Sequence, residues 1–281
     1  MKILLTGGNG MLGRTLQRTL GHHQLAIADL PEVDITRLAS IAAAIAAFHP
    51  TAVIHAAAMT AVDACETDAD RAFAVNACGS ANVAIACHRH RARLLAISTD
   101  YVFDGALERP YHEWDPPNPQ TVYGASKWAG EEAIRTHCPD HAIIRTAWLY
   151  GPGGPSFYHA MLKLGAQDGA PLKVVDDQIG NPTSTEALAT LLARLLDLPL
   201  AGTFHASCEG ETTWHGFAQE IFRLKGLSRG LVPCTTADFP RPAPRPANSR
   251  LDKRALRLHN LPPMPHWRDA LAKFVTRHPE G

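Results

Sequence analysis

The chain opens on a strand, a glycine loop and a helix in immediate succession, and no other feature limits its fold as much. Lys2-Ile3-Leu4-Leu5-Thr6 is an apolar run of the length of a buried strand. Gly7-Gly8-Asn9-Gly10-Met11-Leu12-Gly13 follows, and then a helical pattern through Leu16 and Leu20. Two registers fit the loop: Gly7-x-x-Gly10-x-x-Gly13, and the literal G-x-G-x-x-G of Gly8, Gly10 and Gly13. In both, glycine permits a tight turn and a close backbone approach, and the start of the helix favours a pyrophosphate. A plain glycine turn is the competing reading, but a strand before and a helix after are the context a dinucleotide loop requires. Gly7, Gly10, Met11, Leu12 and Gly13 are therefore expected at a dinucleotide. The fold expected is α/β, a Rossmann-type doubly wound parallel sheet with its ligands at the carboxyl ends of the strands.

A second strand, Leu25-Ala26-Ile27-Ala28, ends at Asp29, roughly twenty positions after the first glycine. An acid there accepts hydrogen bonds from an adenosine ribose and repels a 2′-phosphate, which leans toward NADH. Arg14, directly after the last glycine, leans the other way, so the choice between NADH and NADPH stays open. Asp34 is either a helix-start residue or an adenine contact, just ahead of an alanine-rich helix over residues 37–48. A third strand, Thr51-Ala52-Val53-Ile54-His55, runs into Ala56-Ala57-Ala58, whose small side chains leave room for a ligand across the backbone. Asn76 falls in a long helix otherwise built from Ala, Val and Phe. It is either solvent-facing or a buried polar group with a purpose.

Arg93-Leu94-Leu95-Ala96-Ile97 is another strand-length apolar run, placing Thr99 just past a carboxyl end. Tyr123 and Lys127 begin a helical pattern, and their spacing of four puts both on one face. A free tyrosine has a pKa of about 10; an adjacent cation lowers it and makes the phenol a usable general acid or base. A hydroxyl such as Thr99 adds a second donor to an oxygen that gains negative charge. A Tyr four before a Lys also arises by chance on helix surfaces, so the pair decides nothing by itself. Proline and glycine crowd residues 104–122, a length that suits a substrate-facing loop.

With 281 residues, the chain can bury a large core. Residues 1–150 read as a dinucleotide-binding domain holding Tyr123 and Lys127. Residues 151–281 read as mainly a smaller substrate-binding lobe, some of whose segments return to the main domain. A net charge of zero argues against a nucleic-acid surface or a polybasic membrane anchor. The six cysteines are scattered without metal-ligand spacing, and the apolar start is too short for a signal peptide. A reduced, soluble, cytoplasmic protein is expected, with surface histidines rather than histidine ligands.

Together, the glycine loop, the triple alanine, Ser98-Thr99-Asp100-Tyr101-Val102-Phe103-Asp104-Gly105 and Tyr123-Gly124-Ala125-Ser126-Lys127 resemble the extended short-chain dehydrogenase/reductases. More narrowly, residues 56–63, 98–105, 145–150, 177–183 and 245–251 are similar to the dTDP-4-dehydrorhamnose reductase family, in that family's order. The resemblance implies NAD(P)H-dependent reduction of dTDP-4-dehydro-L-rhamnose to dTDP-L-rhamnose, with NADPH ahead of NADH. It implies Thr99, Tyr123 and Lys127 as the catalytic set, with Asn76 where the lysine is often supported through water. It places Asp29, Asp34 and Ala56, Ala57 and Ala58 at the coenzyme. Thr99, Asp100, Tyr101, Trp148, Arg245 and Ser249 are placed at the sugar nucleotide, with core packing the competing reading for Trp148. His55 stands where many close relatives have Asn, which bears on coenzyme contacts. Some members are described with a structural magnesium at a subunit contact. No acidic cluster supports one here, and the resemblance admits a homodimer. An epimerase or ketoreductase acting on another nucleotide sugar is the alternative within the superfamily. A non-catalytic regulatory subunit, like that of methionine adenosyltransferase, is the alternative outside catalysis.

Overall fold

A computed structural model describes residues 1–279. The first half of the chain runs β1 (Lys2–Thr6), α1 (Met11–Thr19), β2 (Gln24–Ala28), α2 (Leu38–Phe48), β3 (Ala52–His55), α3 (Val62–Thr67), α4 (Ala69–Phe73), α5 (Gly79–Arg89), β4 (Arg93–Thr99), α6 (Val122–His137) and β5 (His141–Thr146). The second half adds β6 (Leu149–Tyr150), α7 (Phe157–Gly165), β7 (Leu172–Val175), β8 (Ile179–Gly180), β9 (Thr183–Ser184), α8 (Thr185–Leu196), β10 (Gly202–His205), β11 (Thr212–Thr213), α9 (Trp214–Lys225), β12 (Leu231–Cys234), β13 (Asn248–Ser249), α10 (Arg254–Leu258) and α11 (Trp267–Arg277).

Six strands form one parallel sheet in the order β10-β5-β4-β3-β1-β2. From Ile3 to Thr6 every residue of β1 is buried, which is why its apolar run does not alternate. The chain leaves β1 for β2 on one side and returns to β3 on the other. That reversal opens a crevice at the carboxyl ends of β1 and β3. On one face Leu12 and Leu16 of α1 and Leu20 just after it share a core with Leu188, Leu192 and Leu195 of α8. On the other, α2 and α5 contribute Ile41, Ile45, Val83 and Ala84. Arg93 donates to the carbonyls of Leu195 (2.8 Å), Leu196 (3.3 Å) and Leu200 (2.6 Å), satisfying acceptors orphaned where α8 ends.

Two local expectations change. β4 runs on to Thr99, because Ser98 and Thr99 pair with Arg145 and Thr146 of β5, so Thr99 ends the strand rather than following it. The long helix around Asn76 is broken into α3, α4, a π turn at Ala74–Cys78 and α5. In the second half, the strands outside the main sheet make three small sheets, β11-β8-β13, β12-β7 and β6-β9. Pro233 sits in a strand of the two-stranded sheet, where a missing N–H is tolerated. No helix among the described residues is long and apolar enough to cross a membrane.

Candidate active site

A cleft of about 930 Å³ opens at the carboxyl ends of the main sheet. Gly7 has φ +73°, and a Cβ there would lie 2.5 Å from the backbone of Ala56 and Ala57. A Cβ on Gly13 would collide with the Gly7 carbonyl and Gly8, driving α1 off the loop. Gly10 is the N-cap of α1 and offers no side-chain cap, so the first-turn N–H groups at Met11, Leu12 and Gly13 stay available where those residues line the cleft. A side-chain-free cradle at an uncapped helix start fits a pyrophosphate. Ala56, Ala57 and Ala58 line the same cleft, as do Asp29 and Asp34. The Asp29 carboxylate accepts from Gly7 N (2.5 Å) and Asn9 N (2.7 Å), bracing the loop as well as facing the cleft. Asp34 does both things the sequence allowed. It lines the cleft and accepts from the Thr36 backbone (2.9 Å) and hydroxyl (2.7 Å), bonds that hold its carboxyl below the usual range. Arg14 does not line the cleft; it donates to Gly153 O at 3.1 Å.

Thr99, Asp100, Tyr101, Tyr123 and Lys127 meet at the other end. Thr121 caps α6 by accepting from Gly124 N at 3.0 Å, which fixes the helix start just before Tyr123. The Tyr101 and Tyr123 rings stand edge to face with centroids 5.4 Å apart. Lys127 Nζ donates to Ile97 O at 2.8 Å, and burial pushes its pKa down to about 8 against an opposing pull from Glu131. Tyr123 departs from the sequence expectation: its pKa is raised. Burial raises it and outweighs the Thr99 hydroxyl, which lowers it, and the charge of Lys127 is not among the influences that move it. Burial also lifts Asp100 to about 6, against the pull of the Thr99 hydroxyl bonded to it. Thr99 Oγ1 donates to Asp100 Oδ1 at 3.1 Å, while Asp100 Oδ2 has no partner among the described residues.

Trp148 forms the wall beyond Thr146. Its φ of +49° is a left-handed conformation that costs a residue with a side chain about 1–2 kcal/mol. The indole lies face to face with Trp214, centroids 3.4 Å apart and planes 6° apart, a contact worth about 0.5–1.5 kcal/mol beyond its burial. Strain and stack are thus of the same size.

The sequence matches the model of the RmlD substrate binding domain over residues 1–279. The chain belongs to the RmlD substrate binding domain family. Within it, the dTDP-4-dehydrorhamnose reductase of Streptomyces griseus is 45% identical over 279 residues, covering 96% of this chain and 91% of that protein. A probable dTDP-4,6-dihydroxy-2-methyloxan-3-one 4-ketoreductase of Streptomyces antibioticus is 42% identical, covering 96% and 93%. The crystal structure of a Bacillus anthracis dTDP-4-dehydrorhamnose reductase in complex with NADP superposes with a TM-score of 0.96 at 36% identity, covering 98% of this chain and 99% of that one.

Three residues tied to this RmlD-family site by resemblance stand outside the cleft lining. Asn76 is buried in the π turn, donating to Met59 O (3.0 Å) and Ser126 Oγ (3.0 Å) and accepting from Met59 N (2.8 Å). It ties the segment after β3 to α6 and makes no direct bond to Lys127, because its side chain is fully used inward. Arg245 is paired with Asp63 at 2.8 Å. Ser249 is buried beside Asp100 rather than in the cleft wall. His55 likewise lies beneath the cleft, bonded to Thr6 (2.7 Å) and Ser80 (3.1 Å), and burial drives its pKa down to about 3, so it is neutral. Among the described residues no group of three His, Cys, Asp or Glu is placed to hold a metal ion.

Sequence reasoning passed over the parts that Glu131, Thr146 and Trp214 play in this RmlD-family site. Glu131, one turn after Lys127, accepts from Ser98 Oγ at 2.5 Å and takes both arms of Arg145 at 2.9 and 2.7 Å. The helix that carries Tyr123 is thereby fixed to the strand end that carries Thr99. The four-residue spacing from Lys127 to Glu131 was the available signal. Thr146 lines the cleft, and its buried hydroxyl has no partner among the described residues. Trp214 gave no local signal at all.

Proposed function

We propose that the protein reduces the 4-keto group of dTDP-4-dehydro-L-rhamnose to give dTDP-L-rhamnose, using a reduced nicotinamide coenzyme. The observation that carries this reading is the single cleft joining the glycine cradle to Thr99, Tyr123 and Lys127. The near-full-length likeness to reductases of dTDP-linked sugars supports the substrate class.

Bound at the glycine cradle, the coenzyme supplies hydride. Tyr123 acts as the general acid, giving its phenolic proton to the oxygen that becomes a hydroxyl. Burial raises its pKa, so the phenol enters the reaction protonated and able to donate. Thr99 turns its hydroxyl from Asp100 to the same oxygen and stabilises the developing charge. Lys127 holds the ribose end with its ammonium, and Trp148 closes the sugar side. The test is loss of reduced-nicotinamide absorbance with purified protein and dTDP-4-dehydro-L-rhamnose. Stoichiometric loss is expected; coenzyme binding without loss would sink the reading. Loss only with another dTDP-4-keto sugar would move it to that substrate.

Lys127 gives the reaction an alkaline limb. With its folded pKa lowered to about 8, the ammonium is lost above that pH, so kcat/KM falls as pH rises through about 8. Between there and the ordinary lysine value of about 10.4 the unfolded chain holds a proton the folded one has shed, so this group favours folding as pH rises. Falling activity in that window without any fall in melting temperature attributable to Lys127 is the expected pair of results. A flat profile to pH 10 would remove the role.

NADH is the preferred donor in this proposal. Asp29 lines the cleft, Glu32 follows it, residues 29–36 hold no cation, and Arg14 is spent on Gly153. The Bacillus anthracis relative carries NADP, so a preference is proposed rather than an exclusion. Asp29→Asn should shift the ratio of kcat/KM values toward NADPH by roughly tenfold, about 1.4 kcal/mol. An unchanged ratio would assign coenzyme choice elsewhere.

A further inference from the structure

Trp148 is the cleft residue whose conformation needs an explanation, because a bulky side chain at positive φ persists only where its surroundings over-determine it. Trp148 packs against the cluster of Val102, Phe103, Tyr111 and Leu251, and its closest polar and ring contacts come from the second half of the chain. Trp148 O accepts from Thr183 N at 3.1 Å. Gly180 lies against the indole so closely that a Cβ there would collide with Cε2. Trp214 covers the ring in a nearly parallel stack and is itself backed by Phe157, with centroids 4.5 Å apart. Trp214 Nε1 donates to Gln178 Oε1 at 3.0 Å, and Gln178 Nε2 donates to Thr236 Oγ1 at 2.9 Å. Trp214 does not line the cleft. A face-to-face stack is not the arrangement two indoles choose freely, since offset or edge-on packing suits their quadrupoles better. Here the hydrogen bond to Gln178 and the glycine at 180 leave that arrangement in place.

We infer that Trp214 is a positioning residue for the sugar end of the cleft, holding Trp148 in its left-handed conformation so that the indole is a fixed wall before substrate arrives. The wall takes the apolar edge of a 6-deoxyhexose, and this part rests on the proposed function. Because Trp214 acts on the sugar wall and not on the glycine cradle, its loss falls on substrate binding and spares coenzyme binding. A wall that must be ordered at each encounter weakens binding without changing the reacting groups.

The test uses the full chain with Trp214→Leu, Trp214→Phe and Gln178→Leu. Indoles held in a fixed stack contribute to the near-ultraviolet circular dichroism, so the near-ultraviolet tryptophan signal of the free protein should change in both Trp214→Leu and Trp214→Phe. Trp214→Leu should raise KM for the nucleotide sugar about tenfold while kcat and the coenzyme Kd hold within about twofold. Trp214→Phe keeps an aromatic face and should recover most of the KM. If Trp214→Leu fails to bind coenzyme because it misfolds, Gln178→Leu decides, with a smaller rise in KM at unchanged coenzyme Kd expected. An unchanged KM in the folded variants, or a fall in kcat alone, overturns the inference. No turnover by wild type with any dTDP-4-keto sugar overturns the proposed function instead. The near-ultraviolet spectrum of the free protein then decides the stack, and a spectrum left unchanged by Trp214→Leu overturns the inference.

Discussion

Tyr123→Phe is expected to lower turnover by about 10³-fold, within the range that general acid catalysis contributes, while coenzyme affinity stays near wild type. The substitution removes one oxygen and leaves the ring. The phenol is only 9% exposed and packs with Cys65 and Ala72, so the ring keeps its place and its edge contact with Tyr101. Burial already holds the phenol's pKa up, so the lost group is a proton donor and not a phenolate. Nothing at the glycine cradle is touched, and coenzyme binding should report an intact cleft. Single-turnover rates with saturating coenzyme check this, together with a coenzyme titration. A variant retaining a tenth or more of wild-type turnover would move the acid elsewhere. Asp100 is the group to examine next, because burial raises its pKa to about 6 and it bonds to Thr99.

Arg145→Met should cost about 3–5 kcal/mol of stability, the penalty for leaving a buried carboxylate without its partner. Glu131 is 2% exposed and Arg145 1%, and two hydrogen bonds of 2.9 and 2.7 Å join them. Burial alone would raise the pKa of Glu131, yet Arg145, Ser98 and Arg135 together bring it below its ordinary value. Arg135 also reaches Glu131 Oε2 at 2.8 Å and stays behind in the variant, which favours the lower end of the range. The melting temperature should fall by about 5 °C on that basis. Glu131→Leu combined with Arg145→Met removes both charges and should recover much of the loss. Urea denaturation of the single and double variants decides between an ion pair that holds the site and one that merely fills it. A single variant within 1 kcal/mol of wild type, or a double variant no better than the single, would remove the argument.

The parts of this molecule legible in the sequence are those whose causes are local. The strand before Gly7 and the helix after Gly13 are written in consecutive residues, and Tyr123 and Lys127 share a face by helical periodicity alone. What the sequence hid depends on partners far along the chain or on total burial. The π turn that breaks the long helix carries Asn76, whose bonds reach Met59 and Ser126, 17 and 50 residues away. The pairing of Arg245 with Asp63 joins positions 182 residues apart. The direction of the Tyr123 pKa went the wrong way in the sequence reading because a neighbouring cation can be inferred from spacing, whereas depth cannot. Trp148 was expected at the sugar and lines the cleft, but the indole that stacks on it comes from α9, far along the chain.

The return of β10 to the edge of β5 bears on how the chain is made. Until Gly202–His205 has left the ribosome, β5 presents an unpaired row of backbone donors and acceptors on a sheet that is otherwise assembled. At about 5–20 residues per second, that edge stays open for a time on the order of seconds. The nascent chain is most open to wrong strand pairing in that interval. Because the last strand to be laid comes from beyond residue 200, a fragment ending at residue 150 would keep this edge permanently.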